Sequence, residues 1–377
     1  MGRIQKRSLL LTIGILLFFW SGLPCFGANL RESETFQEME ERSGIQDLYQ
    51  GLDENAKEQL RLGGIQSAAV DPEEMEENLL QMVSQALSDA IKGPSQALIL
   101  LVGIILLCQL CGCYGEKRMG ETIHLVGTLA CCGVLLPFLT RCFSGLEALG
   151  KSLSVLLSGC VPVYGGLLMA TGKPQTAMTH GVMTLAAGNA IPLITTGIIL
   201  PALHLMLAIG IVATVTDLPF GKVSEGIYGM VKWLLILVVT VFFALMSTKT
   251  AINASMDEAA AKAAKLVVSS AIPVVGSAVG DALSAIQGSV EMIKSGAGAF
   301  GMLAALLILL PGLIQGIVWV AVCWLGQMVA EIFSMQSIAK FLDSILSLLR
   351  MLLAVTVSIG AVTLLCISMV LWAGGAS

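Results

Sequence analysis

The sequence predicts an all-α, polytopic integral membrane protein with about 8–10 helical membrane segments, some of them amphipathic or broken. A small extracytoplasmic helical domain is expected at its N-terminus. Three observations carry this reading. The 377 residues are 56% hydrophobic and only 12% charged, about half the charged share of an ordinary soluble domain. Mean hydropathy is +0.85. The charge is also partitioned: residues 1–27 hold three bases and no acid, residues 28–93 hold 15 acids and 5 bases, and residues 94–377 hold 11 acids and 13 bases. A soluble enzyme is excluded by composition, and nucleic-acid binding by the lack of any basic, aromatic surface.

Residues 1–27 read as a signal peptide. Arg3, Lys6 and Arg7 form a positive start, and Leu9 to Trp20 an apolar core of 12 residues. A membrane span needs about 20 apolar residues, so this core is short for an anchor. Small residues at Cys25 and Gly27 suit cleavage before Ala28, which puts the following domain outside the cytoplasm. Pro24 fits a lipoprotein signal at Cys25 poorly.

Residues 28–93 read as an acidic helical domain. Asp71 is a suitable N-cap, Pro72 suits the first helical position, and Glu74 can reach back to the cap. Met75, Leu79, Val83, Leu87 and Ile91 then recur every four residues, flanked by Met82, Ala86 and Ala90, as one buried or docking face. Gly93-Pro94 is expected to end the helix. Sixty-six residues make a marginal core, so this domain is expected to lean on the membrane body or on a partner.

Residues 94–377 read as the polytopic transmembrane domain. Apolar stretches fall at about 95–113, 121–140, 154–172, 177–197, 199–216, 231–248, 298–322 and 351–373. Gly115-Glu116-Lys117-Arg118 follows the first stretch, and its positives favour the cytoplasmic side. Tyr228, Trp233, Trp319 and Trp372 fall near segment ends, where interfacial aromatics belong. Nine of the ten cysteines lie between positions 108 and 366 and none in the acidic domain. Cys108, Cys111 and Cys113 sit in an apolar run where cysteine is a small hydrophobe rather than a metal ligand. No metal or cofactor is expected.

Polar chemistry is concentrated in three amphipathic stretches. In 143–158 the polar side carries Ser144, Glu147, Lys151, Ser154 and Ser158, and Glu147 and Lys151 form a favourable i,i+4 pair. In 281–295 it carries Asp281, Ser284, Gln287, Glu291 and Lys294. In 334–350 it carries Lys340, Asp343, Ser344, Ser347 and Arg350. Such stripes either lie in the membrane interface or line an aqueous path. Two apolar runs are punctuated alike, at Pro162 and Gly165 and at Pro273, Gly276 and Gly280, and are candidate helix breaks. Ala278-Val-Gly-Asp281 approaches an intramembrane protease motif, but Asp217, Asp257 and Asp343 sit at segment ends and supply no second carboxylate at its depth. No hydrolase, zinc-protease or phosphate-loop pattern occurs.

The leader, the acidic helical domain and the run Ser270-Ala-Ile-Pro-Val-Val-Gly-Ser-Ala-Val-Gly-Asp-Ala-Leu resemble the stage III sporulation protein AE family of endospore-forming bacteria. Gly288, Lys294, Gly298, Pro162-Val-Tyr-Gly-Gly and Asn189-Ala-Ile-Pro192 extend the resemblance along essentially the whole chain. It implies a polytopic protein of the mother-cell membrane around the forespore. It also implies partners, namely other proteins of the stage III sporulation A operon and a forespore membrane protein. The implied role is a non-enzymatic component of a channel-like apparatus needed for late forespore gene expression. The alternative is a stand-alone secondary transporter with its polar path around residues 281–294.

Overall fold

The computed structural model describes residues 49–52, 54–62, 72–114, 117–215, 221–271 and 276–372. The expected signal peptide lies outside them, as does a little under half of the expected acidic domain. All regular elements among the described residues are helical. They are α1 (Glu54–Leu62), α2 (Pro72–Tyr114), α3 (Lys117–Ala170), α4 (Pro174–Ile194), a π-turn (Thr195–Ile199), α5 (Leu200–Val215), α6 (Gly221–Ala271), α7 (Gly276–Ile332) and α8 (Gln336–Trp372). Six helical runs are long and apolar enough to cross a membrane. The eight apolar stretches of the sequence fall within these six runs: two merge in α3, and two more join through the π-turn.

Direction follows from close approaches. Gly188 on α4 meets Ser154 and Leu157 on α3, while Gly150 meets Ile191 and Thr195, so α3 and α4 are antiparallel. Gly316 abuts Leu353 and Gly360 abuts Leu309, which sets α7 antiparallel to α8. Phe138 stacks on Trp319 at 3.4 Å between ring centroids, and Tyr164 reaches Ala297 farther along, so α3 and α7 also run in opposite senses. Glycine at these crossings removes the Cβ that would hold the backbones apart. The bundle alternates up and down. One end carries the α3–α4 turn, the other the α7–α8 turn.

Both turns close in the same way. Lys173 N–H donates to Leu168 O and Gly172 N–H to Met169 O; Met335 N–H donates to Ala330 O and Ser334 N–H to Glu331 O. These are paired Schellman bonds, which need a left-handed residue just past the helix. Gly172 meets this at φ 76° without strain, whereas Ser334 does so at φ 57° with a side chain.

α8 lies deepest of the six runs, touching α3, α4, α5, α6 and α7. Its inward face (Ile338, Phe341, Leu342, Ile345, Leu349, Leu352, Val355, Ile359) is buried throughout. The opposite situation holds on α2 and α6. Leu106, Leu107, Leu110, Trp233, Ile236 and Phe243 point outward, a band of large apolar groups that only lipid or another apolar chain covers. Trp233 is 64% exposed, as an interfacial anchor would be, but Trp319 is buried on Phe138 and belongs to the core instead.

Two expected breaks are absent. α2 passes through Gly93-Pro94 and continues to Tyr114. The proline leaves one carbonyl of the preceding turn without its donor, while Pro94, Ala97, Leu101 and Ile105 pack inward on successive turns, and that burial carries the helix on. α3 likewise runs through Pro162 and Gly165 and ends only at Ala170, before Gly172. Pro273 lies outside the described residues; α6 ends at Ala271, and α7 starts at Gly276 with Gly280 inside its first turns.

The four-residue stripe on α2 does not stay on one face. Each step of four advances about 40° around a helix of 3.6 residues per turn, so from Met75 to Ile91 it sweeps roughly 160°. Ala90 consequently turns inward, while Leu87 and Ile91 are 44% and 45% exposed. Within the described part of the acidic region, one contact with the body is direct. α1 packs against α7, and Leu52, Ala56 and Leu60 join the main core.

Candidate functional site

Three buried polar contacts gather at the end of the bundle that carries the α3–α4 turn. The first is a helix cap supplied from elsewhere in the chain. Lys173, at the N-cap position of α4, makes no side-chain cap. Asp257 on α6 replaces it: its carboxylate accepts from Gln175 N–H at 3.1 Å, from Thr176 N–H at 3.1 Å and from the Thr176 hydroxyl at 2.5 Å. Asp257 is only 4% exposed. A carboxylate so placed is stabilised by the donors and positive dipole end of the α4 terminus.

His180, fully buried one turn further along α4, ties α4 to α8. Its Nε2 lies 3.2 Å from Cys366 O and 3.3 Å from Thr184 Oγ1. A carbonyl can only accept, so the proton is assigned to Nε2. Nδ1 has no hydrogen-bond partner among the described residues. Tyr164 on α3 sets its ring edge-on to the imidazole at 5.7 Å and donates its hydroxyl to Ala297 O of α7 at 2.9 Å. Its hydroxyl occupies the place a Cβ on Gly301 would take, so glycine there is required by the close approach. Through these contacts four helices are held in register.

The arrangement fixes helices; it does not assemble a nucleophile, base and acceptor around an open space. Among the described residues no three His, Cys, Asp or Glu side chains stand together as a metal centre needs. Cys108, Cys131, Cys142, Cys160, Cys323 and Cys366 are free thiols that are buried or half-buried between helices.

The polar stripes expected from the sequence lie apart. Glu147 and Lys151 form their ion pair at 2.7 Å, on the outer side of α3 with Lys151 well exposed. Phe143, Leu146, Leu153 and Leu156 face the core beneath them. Lys340 and Asp343 are exposed and Arg350 half-buried on α8, toward the α7–α8 turn. Asp281, Ser284, Gln287, Glu291 and Lys294 lie on the N-terminal part of α7, toward the opposite end; their side chains fall outside the described residues. α7 and α8 run roughly 50 Å within their apolar stretches, at 1.5 Å per residue, and two of the three stripes are separated along that length.

Sequence reasoning passed over the residues that matter most in this geometry. By sequence Asp257 is a segment-end carboxylate at the head of a run of acids and lysines, Asp257 to Lys265, that reads as a solvated connector. Its neighbour Glu258 is exposed and paired as that spacing suggests: Lys262 donates to it at 2.6 Å and holds the carboxyl below its usual range. Asp257 itself turns inward, and Asn253 one turn earlier is buried on the same side. That spacing of two polar residues at the end of an apolar helix was the available signal. His180 and Tyr164 gave none, because their partners are backbone carbonyls 186 and 133 residues away.

The family profile of stage III sporulation protein AE matches residues 58–374. Comparison with curated proteins and with solved structures gives no match.

Proposed function

The chain belongs to the stage III sporulation protein AE family, and from that premise we propose that it serves as a non-enzymatic membrane component of a channel-like apparatus. That apparatus links mother cell and forespore and sustains late forespore gene expression. The observation that carries the reading is the family match over nearly the whole membrane body.

In this reading the protein sits in the mother-cell membrane around the forespore, with residues 28–93 in the intermembrane space and residues 94–377 as the transmembrane body. Its partners are other proteins of the stage III sporulation A operon and a forespore membrane protein. The positives at Lys117 and Arg118 support a cytoplasmic end at the α2–α3 connection. The test is a strain lacking the gene and carrying a late forespore reporter. Loss of reporter expression after engulfment, restored by the wild-type chain, is expected. Full reporter expression without the gene would overturn the reading.

A further inference from the structure

Two buried polar side chains lie one turn in from the Asp257 cap, and each has an atom with no hydrogen-bond partner among the described residues: Nδ1 of His180 and the amide nitrogen of Asn253. His180 is fully buried and Asn253 is 5% exposed. The helices bring them to one depth. Five residues join the end of α5 to the start of α6, so α6 returns antiparallel to α4 and α5, and it packs on α4, α5 and α8. Asp257 accepts from Gln175 N–H and Thr176 N–H, which fixes the register of α6 on α4. Asn253 lies four residues before Asp257 on the same face of α6, and His180 four residues beyond Thr176 on the same face of α4. Between antiparallel helices these steps point the same way along the bundle, about 6 Å each at 1.5 Å per residue.

The two groups are chemically complementary. With its proton on Nε2, toward Cys366 O, the imidazole presents a lone pair at Nδ1. The Asn253 amide nitrogen presents N–H donors. An anion would be repelled by that lone pair and a cation by those hydrogens, and no set of metal ligands stands among the described residues. A small neutral molecule that both accepts and donates suits both groups. Buried polar groups without a protein partner are ordinarily satisfied by an ordered water. Exchanging the oxygen and nitrogen of the amide leaves this choice unchanged, because a water can also donate to two acceptors.

We propose that Asn253 of α6 and His180 of α4 hold one buried water molecule between them, which accepts from the Asn253 amide and donates to Nδ1 of His180. The bridge ties α6 to the helices that His180 and Tyr164 join through Cys366 O and Ala297 O.

The test uses the full-length protein in lipid nanodiscs with nitrogen-labelled histidine and asparagine. The chain has three histidines, so His124→Gln with His204→Gln leaves His180 as the remaining imidazole signal. Magic-angle-spinning NMR then reads which proton approaches Nδ1. The expected result is a contact with a solvent-exchangeable proton bonded to no nitrogen, while Nε2 carries its own proton. That contact should persist in Thr184→Val, which removes the Thr184 hydroxyl, and be lost in Asn253→Leu. A proton bonded to the Asn253 nitrogen at Nδ1 would show a direct side-chain bond and overturn the proposal. So would the absence of any exchangeable proton there, or a contact undiminished in folded Asn253→Leu. These readings on unaltered Asn253 decide the matter even where Asn253→Leu fails to fold.

Discussion

Replacing Asp257 with alanine should loosen the start of α4 far more than a polar surface change would. Three donors lose their acceptor: Gln175 N–H, Thr176 N–H and the Thr176 hydroxyl. The hydroxyl can turn to a carbonyl of its own helix, but the two backbone donors of a first turn cannot. Each buried, unsatisfied donor costs about 1–3 kcal/mol, and loss of an N-cap alone about 0.5–2 kcal/mol. An overall loss of about 3 kcal/mol follows, or roughly a hundred-fold in a local opening equilibrium. Asp257→Asn keeps one acceptor oxygen and should lose about half as much. Hydrogen exchange of the purified protein in nanodiscs, read on peptides covering 174–180, measures this locally. Exchange should accelerate about a hundred-fold in Asp257→Ala while peptides across the α7–α8 turn stay unchanged. Unchanged exchange at 174–180 would refute the cap. Equal acceleration everywhere would show a global role rather than a local one.

Three further changes test the packing. Gly301→Ala should displace the Tyr164 hydroxyl, break its bond to Ala297 and destabilise by about 1–3 kcal/mol; Tyr164→Phe in the same background should then add almost nothing in thermal unfolding. Ser334→Gly should stabilise by about 1 kcal/mol, because glycine holds φ 57° without the strain of a side chain, and a lowered melting temperature would count against the turn geometry. Glu147→Gln with Lys151→Gln should change stability by less than about 0.5 kcal/mol, since both groups are substantially exposed. The late forespore reporter should also stay active in that double variant, whereas its loss would favour a transport path through this stripe.

Much of the fold was legible because a membrane body declares itself by composition. Runs of apolar residues with few charges leave the helix as the solution that satisfies the backbone internally, and the start of α2 at Pro72 follows from its own cap chemistry. The breaks were misread because proline and glycine report a local cost only. At Pro94 and Pro162 the burial of Ala97, Leu101, Val163 and Tyr164 outweighs that cost, and no local rule contains it. The stripe on α2 looked continuous because spacing by four resembles one face over two turns, then drifts. The Glu147–Lys151 pair was legible, being four residues apart on one helix. The Asp257 cap and the His180 tie were not, because each joins helices whose pairing only the assembled bundle decides.

The proposed function has this chain work within an assembly rather than alone. The direct measurement is purification of the intact protein from sporulating cells in mild detergent, with mass spectrometry of what accompanies it. Other stage III sporulation proteins should be recovered with it in reproducible amounts. Recovery of this chain alone, at the same stage and in the same detergent that keeps its bundle folded, would contradict it.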